Sequence, residues 1–204
     1  MTFWYTARAT FDNRNQEEGK TWDSYIAGYT LPHLKEMISL DQFLNEPLVE
    51  PDYNNADDWK FIVTDDKRTT ELFTSMEYVL KRTKKEQFNL LAVVKEPEER
   101  GDTVQLADFD FVGYEILDKW YDVSALTNCT GLNSSLEQND FNQSGLLSHY
   151  ERAFTIRKEF LENNPQHSHA DCYVMAIWRH KTIGRGWLDG LVTVPMDAPK
   201  ANQI

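Results

Sequence analysis

The chain has 204 residues, 41% of them hydrophobic and 13% aromatic, a content that excludes a disordered chain and suffices for a core without disulfides or metal. Its 33 acidic and 21 basic side chains give a net charge of −12, which opposes binding to nucleic acid and to anionic membrane surfaces. No apolar run approaches the roughly 20 residues of a membrane-spanning helix. The first residues also lack the pattern of a signal peptide. We therefore expect a cytoplasmic protein with free thiols and a basic protein partner.

The first half of the chain predicts two strands and one clear helix. Residues 3–11 are β-branched and aromatic and predict the first strand. Apolar residues at helical spacing favour a short helix within 33–44, and two prolines among turn formers predict an irregular loop over 45–58. A short strand is expected at 59–63. An apolar stripe with basic residues near its end predicts a helix from Thr70 to about Lys85.

The second half carries the strongest strand patterns. Residues 88–94 are nearly all apolar and predict a central strand buried on both faces. Residues 108–117 predict a second strand, in which the apolar alternation changes parity beside Gly113, so we expect a β-bulge there. An amphipathic helix is predicted over 143–165, and a third strong strand over 172–178.

These elements predict one α+β domain over residues 1–204, with a mainly antiparallel sheet packed by two principal helices. The short charged loop between 88–94 and 108–117 favours a hairpin of these two strands. The tail after about residue 183 is expected to be peripheral, with one further strand near 188–194. No internal repeat or linker divides the chain.

Two cysteines and two histidines are the candidate metal ligands: Cys129, His167, His169 and Cys172. Thiolate and imidazole suit a tetrahedral zinc shell. The paired Cys-x2-4-Cys spacing of such sites is missing, however, and Cys172 begins an apolar strand, where a cysteine usually behaves as a small buried hydrophobe. We expect no cofactor and a solvated turn before the strand. A zinc site is the alternative.

The same residues also allow a thiol-dependent enzyme. Cys129 would supply the thiolate, His167 or His169 the base, and Asp171 the group that orients it. Nothing around Cys129 matches a known cysteine-hydrolase signature, so we favour a protein that is not an enzyme. A zinc- or thiol-dependent enzyme using Cys129 and the His167–Cys172 segment remains the alternative.

The acid-rich region between residues 41 and 66 predicts a binding surface. Aromatic rings supply buried area at a protein interface, and surrounding carboxylates speed and orient docking on a basic partner. The predicted binding residues are Asp52, Tyr53, Asp57, Asp58, Trp59, Asp65 and Asp66. The alternative, favoured by the usual burial of tryptophan, is a solvated loop whose Trp59 packs into the core.

Together these patterns predict an acidic cytoplasmic protein-binding module. Its concrete form is a bacterial immunity protein that occludes the basic active surface of a toxin such as a nuclease. In that mechanism, carboxylates of the chain pair with the lysines and arginines that the toxin uses to hold phosphate. Inhibition by occlusion needs no catalytic residues, in agreement with the absence of a catalytic motif.

Overall fold

The computed structural model describes residues 1–13, 22–29, 31–65, 68–83, 87–126, 136–163 and 171–184, and these contain eight strands and three α-helices. The strands, in chain order, are β1 (Trp4–Arg8), β2 (Phe11–Asp12), β3 (Glu36–Met37), β4 (Ile62–Asp65), β5 (Arg68–Phe73), β6 (Asn89–Lys95), β7 (Phe109–Asp118) and β8 (Cys172–His180). The helices are α1 (Trp22–Tyr29), α2 (Met76–Arg82) and α3 (Tyr150–Asn163). The predicted tail and its strand near 188–194 lie outside the described residues.

Six of these strands form one sheet in the order β4-β5-β1-β6-β8-β7, and every neighbouring pair is antiparallel. The two short strands β2 and β3 pair with each other beside it. Helix α2 contacts β1 and β5, and α3 contacts β7 and β8. The predicted α+β fold with a mainly antiparallel sheet is therefore confirmed.

Both faces of the sheet are covered, which explains why its central strands are apolar throughout. Helices α2 and α3 cover one face, where Val79 and Ile156 share a core with Trp178. Irregular segments before β4 and after β7 cover the other face, where Leu40 and Leu146 belong to a second core. A strand covered on both sides needs apolar residues at successive positions rather than alternating ones.

The sheet is strongly curved toward its helix-free face. Strand β4 is separated from β6 by two other strands in the sheet order. Nevertheless, the Nζ of Lys95 at the end of β6 lies 2.6 Å from an Oδ of Asp65 at the end of β4. In a flat sheet β4 and β6 would be three strand spacings of about 4.8 Å apart, too far for these two side chains to meet. The β4–β5 end of the sheet therefore arches over this face.

Strands β6 and β7 do not form the predicted hairpin. Strand β8 lies between them and pairs with both, through registers such as Val93↔Ile177 and Ile116↔Val174. The short charged loop is thus a connection between parallel strands that are not neighbours. Strand β8 takes the position between β6 and β7 because it is long and apolar, and there it buries both of its faces.

The predicted bulge in β7 is confirmed at Gly113. The pairing register with β8 shifts between Phe111 and Gly113. Gly113 has φ +144, and a Cβ there would lie 2.7 Å from the Cβ of Leu146 and 2.9 Å from the carbonyl oxygen of Leu147. A glycine is therefore required both by the backbone conformation and by the close packing of this segment on β7.

Three predicted helices differ from the observed elements. Residues 68–73 are strand β5, and helix α2 begins only after Ser75, whose Oγ caps it by accepting from the amide of Tyr78 at 3.2 Å. Residues 143–149 precede α3 rather than belong to it. Within 33–44 the chain forms β3 and turns. In each case, pairing with another strand or segment outweighs the local helical spacing.

Candidate binding surface

The segment from Glu50 to Lys60 is irregular in shape but highly ordered by its own short side chains. The Oδ1 of Asp52 accepts from the amide of Asn54 at 3.0 Å, and the Oδ1 of Asn55 accepts from the amide of Asp57 at 3.0 Å. Aspartate and asparagine favour such turns because their side chains reach their own backbone two residues on. A short 3-10 helix over Asp58–Lys60 then leads to β4.

Asp58 fastens this segment to helix α2. Its side chain is buried, and its carboxylate accepts from the Asp52 amide at 2.8 Å, from the Tyr78 hydroxyl at 2.7 Å and from Nη2 of Arg82 at 2.8 Å. Burial alone would raise the pKa of Asp58, but these three donors outweigh it and hold the pKa below its ordinary value. Asp58 is thus an internal anchor of the segment rather than a contact residue.

Trp59 and Tyr53 lie on the outside of the anchored segment. Their side chains are 45% and 46% exposed, and their ring centroids are 5.7 Å apart. The indole Nε1 of Trp59 donates to the carbonyl oxygen of Tyr53 at 2.9 Å, so the polar atom of the indole is satisfied within the segment. The alternative in which Trp59 packs into the core is therefore wrong.

The predicted acidic residues divide between this surface and the interior. Asp52 and Asp57 are exposed, and Asp57 pairs with Lys60 at 2.5 Å on the surface. Asp65 instead accepts from the Lys95 Nζ and from the Tyr121 hydroxyl, at 2.6 and 2.5 Å. Asp66 lies outside the described residues. We call Asp52, Tyr53, Asp57 and Trp59 the aromatic–acidic surface.

Two carboxylates outside the predicted binding residues, Glu71 and Asp122, continue this negative region toward the helix-free face. The Tyr53 side chain is hydrogen-bonded to that of Thr69 and experiences the charge of Glu71 on β5. Burial raises the pKa of Glu71, and Asp122 adds to the rise by repulsion although Arg8 opposes it. The pKa of Asp122 is raised for the same principal reason, burial. These acids are far apart in sequence, so no local pattern joins them to Tyr53.

Lys95, Asp65 and Tyr121 form a hydrogen-bonded cluster between the ends of β4 and β6 and the segment after β7. Burial would lower the pKa of Lys95, but hydrogen bonds to Asp65 and Tyr121 raise it above its ordinary value. Burial and the bond to Asp65 raise the pKa of Tyr121. Lys95 is therefore a protonated ammonium group, whose nitrogen lies 3.5 Å from the ring centroid of Tyr173. These contacts join the end of β4 to the end of β6 and hold the arched sheet together.

The predicted metal or catalytic group cannot be assembled from the described residues. Cys129, His167 and His169 lie outside them. Cys172 is buried at the start of β8, opposite Asp118 of β7. Within the described ranges, no three histidine, cysteine or acidic side chains are grouped so as to hold a metal ion. The zinc- or thiol-dependent alternative therefore stays a prediction.

Comparisons with protein-family models, with curated proteins and with solved structures found no match. In the parts of the chain that the structure describes, no helix has both the length and the apolar character needed to cross a membrane. Function is therefore inferred from the geometry of the chain itself.

Proposed function

We propose that this chain is an acidic cytoplasmic protein that binds a basic protein partner through the aromatic–acidic surface. The observation that carries the proposal is the exposed pair Tyr53 and Trp59, held side by side on a segment that Asp58 anchors to α2. Large rings with their polar atoms already satisfied gain free energy when a partner covers them. Tryptophan and tyrosine are also the side chains most enriched among the dominant contacts of protein interfaces.

The anchoring of the segment favours tight docking. Side-chain and loop ordering on binding opposes association, and a segment that is already ordered avoids most of that cost. Asp58 supplies this order through Tyr78 and Arg82, and the rings of Phe61 and Tyr78 stack at 4.7 Å beside it. The surface is therefore presented in a binding-ready conformation.

The charge of the chain selects the kind of partner. A net charge of −12, with Asp52 and Asp57 exposed next to the rings, attracts a surface rich in lysine and arginine. An immunity protein that occludes the basic active surface of a toxin such as a nuclease is the concrete form of this proposal. Its carboxylates would take the place of the phosphates that the toxin binds.

The test isolates a partner from the native host on the immobilised chain and then measures the affinity of the purified pair. We expect Trp59→Ala to weaken binding about 30-fold, as for a dominant interface residue. Leu161→Ala is the matched control, because Leu161 is 51% exposed on α3, away from the proposed surface, and should leave the affinity unchanged.

Salt provides the second arm of this test. Screening by salt shortens the range of charge attraction, so the association rate should fall steeply as NaCl rises from about 0.05 to 0.5 M. A partner whose binding is indifferent both to salt and to Trp59→Ala would contradict the proposal.

A further inference from the structure

Glu115 is a carboxyl side chain buried in the middle of strand β7. It is 1% exposed, and its neighbour in β8 is the uncharged, fully buried Met175. An ionised carboxylate removed from water costs free energy unless hydrogen bonds or a cation offset the loss of hydration. Glu115 is also a lone acidic residue within an apolar run, Phe111–Leu117, which is a signal that the sequence itself carries.

The groups that hold Glu115 are neutral and come from two other segments of the chain. Its Oε1 accepts from the hydroxyl of Ser39, and its Oε2 accepts from the amide of Leu40 at 2.7 Å. The side chain of Ser124 forms a further hydrogen bond with it. Glu115 therefore joins the turn after β3 and the segment after β7 to the sheet.

Asp41 is a second acid that links the turn after β3 to the segment after β7. We call the contacts of Glu115 and Asp41 with these two segments the junction. The Oδ1 of Asp41 accepts from the amide of Phe43 at 2.8 Å and its Oδ2 from the amide of Ser124 at 3.1 Å. The Asp41 amide in turn donates to the Oγ of Ser39 at 3.0 Å. The turn over residues 39–43 is thus held by both acids, and it displays Phe43, which is 60% exposed.

Arg8 is a buried cation whose charge interacts with both Glu115 and Asp41. Its guanidinium is 1% exposed and donates at 3.5 Å to the carbonyl oxygen of Asn45 rather than to a carboxylate. Burial lowers the pKa of Arg8, against the opposing charges of Glu71, Glu115, Asp41 and Asp122. Arg8 therefore acts on Glu115 from a distance, without an ion pair.

Charged groups of the surrounding elements lie around Glu115 on the helix-free face: Arg8 of β1, Glu71 of β5, Lys95 of β6, Asp41 after β3 and Asp122 after β7. Arg179 of β8 is engaged by Glu36 at 2.7 Å. Burial raises the pKa of Glu115 to about 7; the bonds from Ser39, Leu40 and Ser124 oppose the rise, and the charge of Asp41 adds to it. This carboxyl therefore changes its charge close to neutral pH.

We propose that Glu115 is a proton-controlled latch, which fastens the 39–43 turn and Ser124 to β7 when its carboxyl is protonated and loosens them when it is ionised. The protonated carboxyl donates to the Oγ of Ser39 and still accepts from the Leu40 amide, so both contacts are kept. Ionisation releases the proton to solvent and leaves a negative charge beside Asp41 at a position shielded from solvent. Opening of the turn then becomes more favourable, because it hydrates the carboxylate.

The test is amide hydrogen exchange of the whole chain between pH 4.5 and 8, corrected for the intrinsic exchange rate. The amides of Leu40, Phe43 and Ser124 report the latch, and the Ala153 amide in α3 is the control. We expect the latch amides to open about tenfold more for each pH unit between the ordinary pKa of 4.5 and the raised value of about 7, and to level off above it. The Ala153 amide should lack this dependence when it exchanges by local fraying of α3, because that opening leaves Glu115 buried.

Two variants assign the effect to one carboxyl. Glu115→Gln mimics the protonated form and should remove the pH dependence. Asp41→Asn removes a charge that raises the pKa of Glu115, so the pH dependence should persist but level off at a lower pH. Should Glu115→Gln fail to fold, the carboxyl carbon of Glu115 is followed by NMR in the native chain. Titration of Glu115 at its ordinary value, or a pH dependence that survives in Glu115→Gln, would overturn the latch. Neither measurement needs the proposed partner.

Discussion

Two buried acids, Asp58 and Glu115, each hold an irregular segment in place, residues 50–60 and 39–43. Their pKa values are shifted in opposite directions. Asp58 and Glu115 are 4% and 1% exposed; Asp58 accepts four hydrogen bonds and Glu115 accepts three. Asp58 has the guanidinium of Arg82 among its donors, and its pKa is lowered. Glu115 has only neutral donors and is repelled by Asp41, and its pKa is raised to about 7. At Asp58 the donors, the Asp52 amide first and then Tyr78 and Arg82, outweigh burial, whereas at Glu115 burial outweighs the donors.

The comparison assigns different roles to the two regions. Asp58 remains ionised at neutral pH, so the aromatic–acidic surface is held constantly and suits a permanent docking site. The pKa of Glu115 is close to neutral pH, so we expect the 39–43 turn to be held more or less firmly depending on the pH. The first region is therefore predicted to be rigid, and the second responsive to pH.

The largest expected effect is the pH dependence that Glu115 imposes on stability. Its folded-state pKa lies above the unfolded value of 4.5, so stability is lost as the pH rises from 4.5 to about 7. Relative to Glu115→Gln, the wild-type chain should lose about 3 kcal/mol over this interval. Urea unfolding of both proteins at pH 5 and pH 8 measures the difference. Parallel pH profiles would show that Glu115 is not the responsive acid.

Removing the Asp58 carboxylate should have an intermediate effect. Asp58→Ala leaves the Tyr78 hydroxyl and the Arg82 guanidinium without their shared acceptor, and we expect the melting temperature to fall by about 5 °C or more. Asp57→Ala is the matched control, because its pair with Lys60 is exposed, and it should change the melting temperature by less than about 2 °C. Equal effects of the two substitutions would refute the anchoring role of Asp58.

The smallest expected effect is a change in the pKa of Asp58 itself. With its lowered pKa, Asp58 stabilises the fold above pH 3.8, and this contribution is lost as the pH falls through the folded-state value. Arg82→Met removes the cation and should raise the pKa of Asp58 toward its ordinary value, while the Asp52 amide and the Tyr78 hydroxyl still lower it. Carboxyl NMR titration measures this shift, with Lys60→Met as the control. An unchanged titration of Asp58 would mean that its neutral donors suffice.

The strong strands and their common sheet were predictable because their patterns are local. The apolar runs at 88–94 and 172–178 correspond to strands β6 and β8, and the change of parity at Gly113 marks the observed bulge. The hairpin was wrong because β8 enters the sheet between two strands that are close in sequence. The helix predicted from Thr70 included β5, since the pairing of that segment with β1 and β4 outweighed its spacing.

The candidate site was predictable in composition but not in arrangement. The pattern of Asp52, Tyr53, Asp57 and Trp59 indicated an aromatic group among acids, and the structure places all four on the outside of one segment. The burial of Asp58 did not follow from the same pattern, because its partners belong to a helix some twenty residues further on. The same holds for Asp65, which Lys95 and Tyr121 hold only because the sheet is curved.

Local order of residues was enough to establish an acidic, aromatic-rich α+β chain with a buried antiparallel core, since charge and periodicity are properties of neighbouring residues. The electrostatic state of each acid came from the folded arrangement alone, because the pKa of a carboxyl depends on groups that the fold brings to it. Asp58 meets a guanidinium and Glu115 does not. The balance between burial and hydrogen-bond donors at each carboxyl separates the anchor at Asp58 from the latch proposed at Glu115.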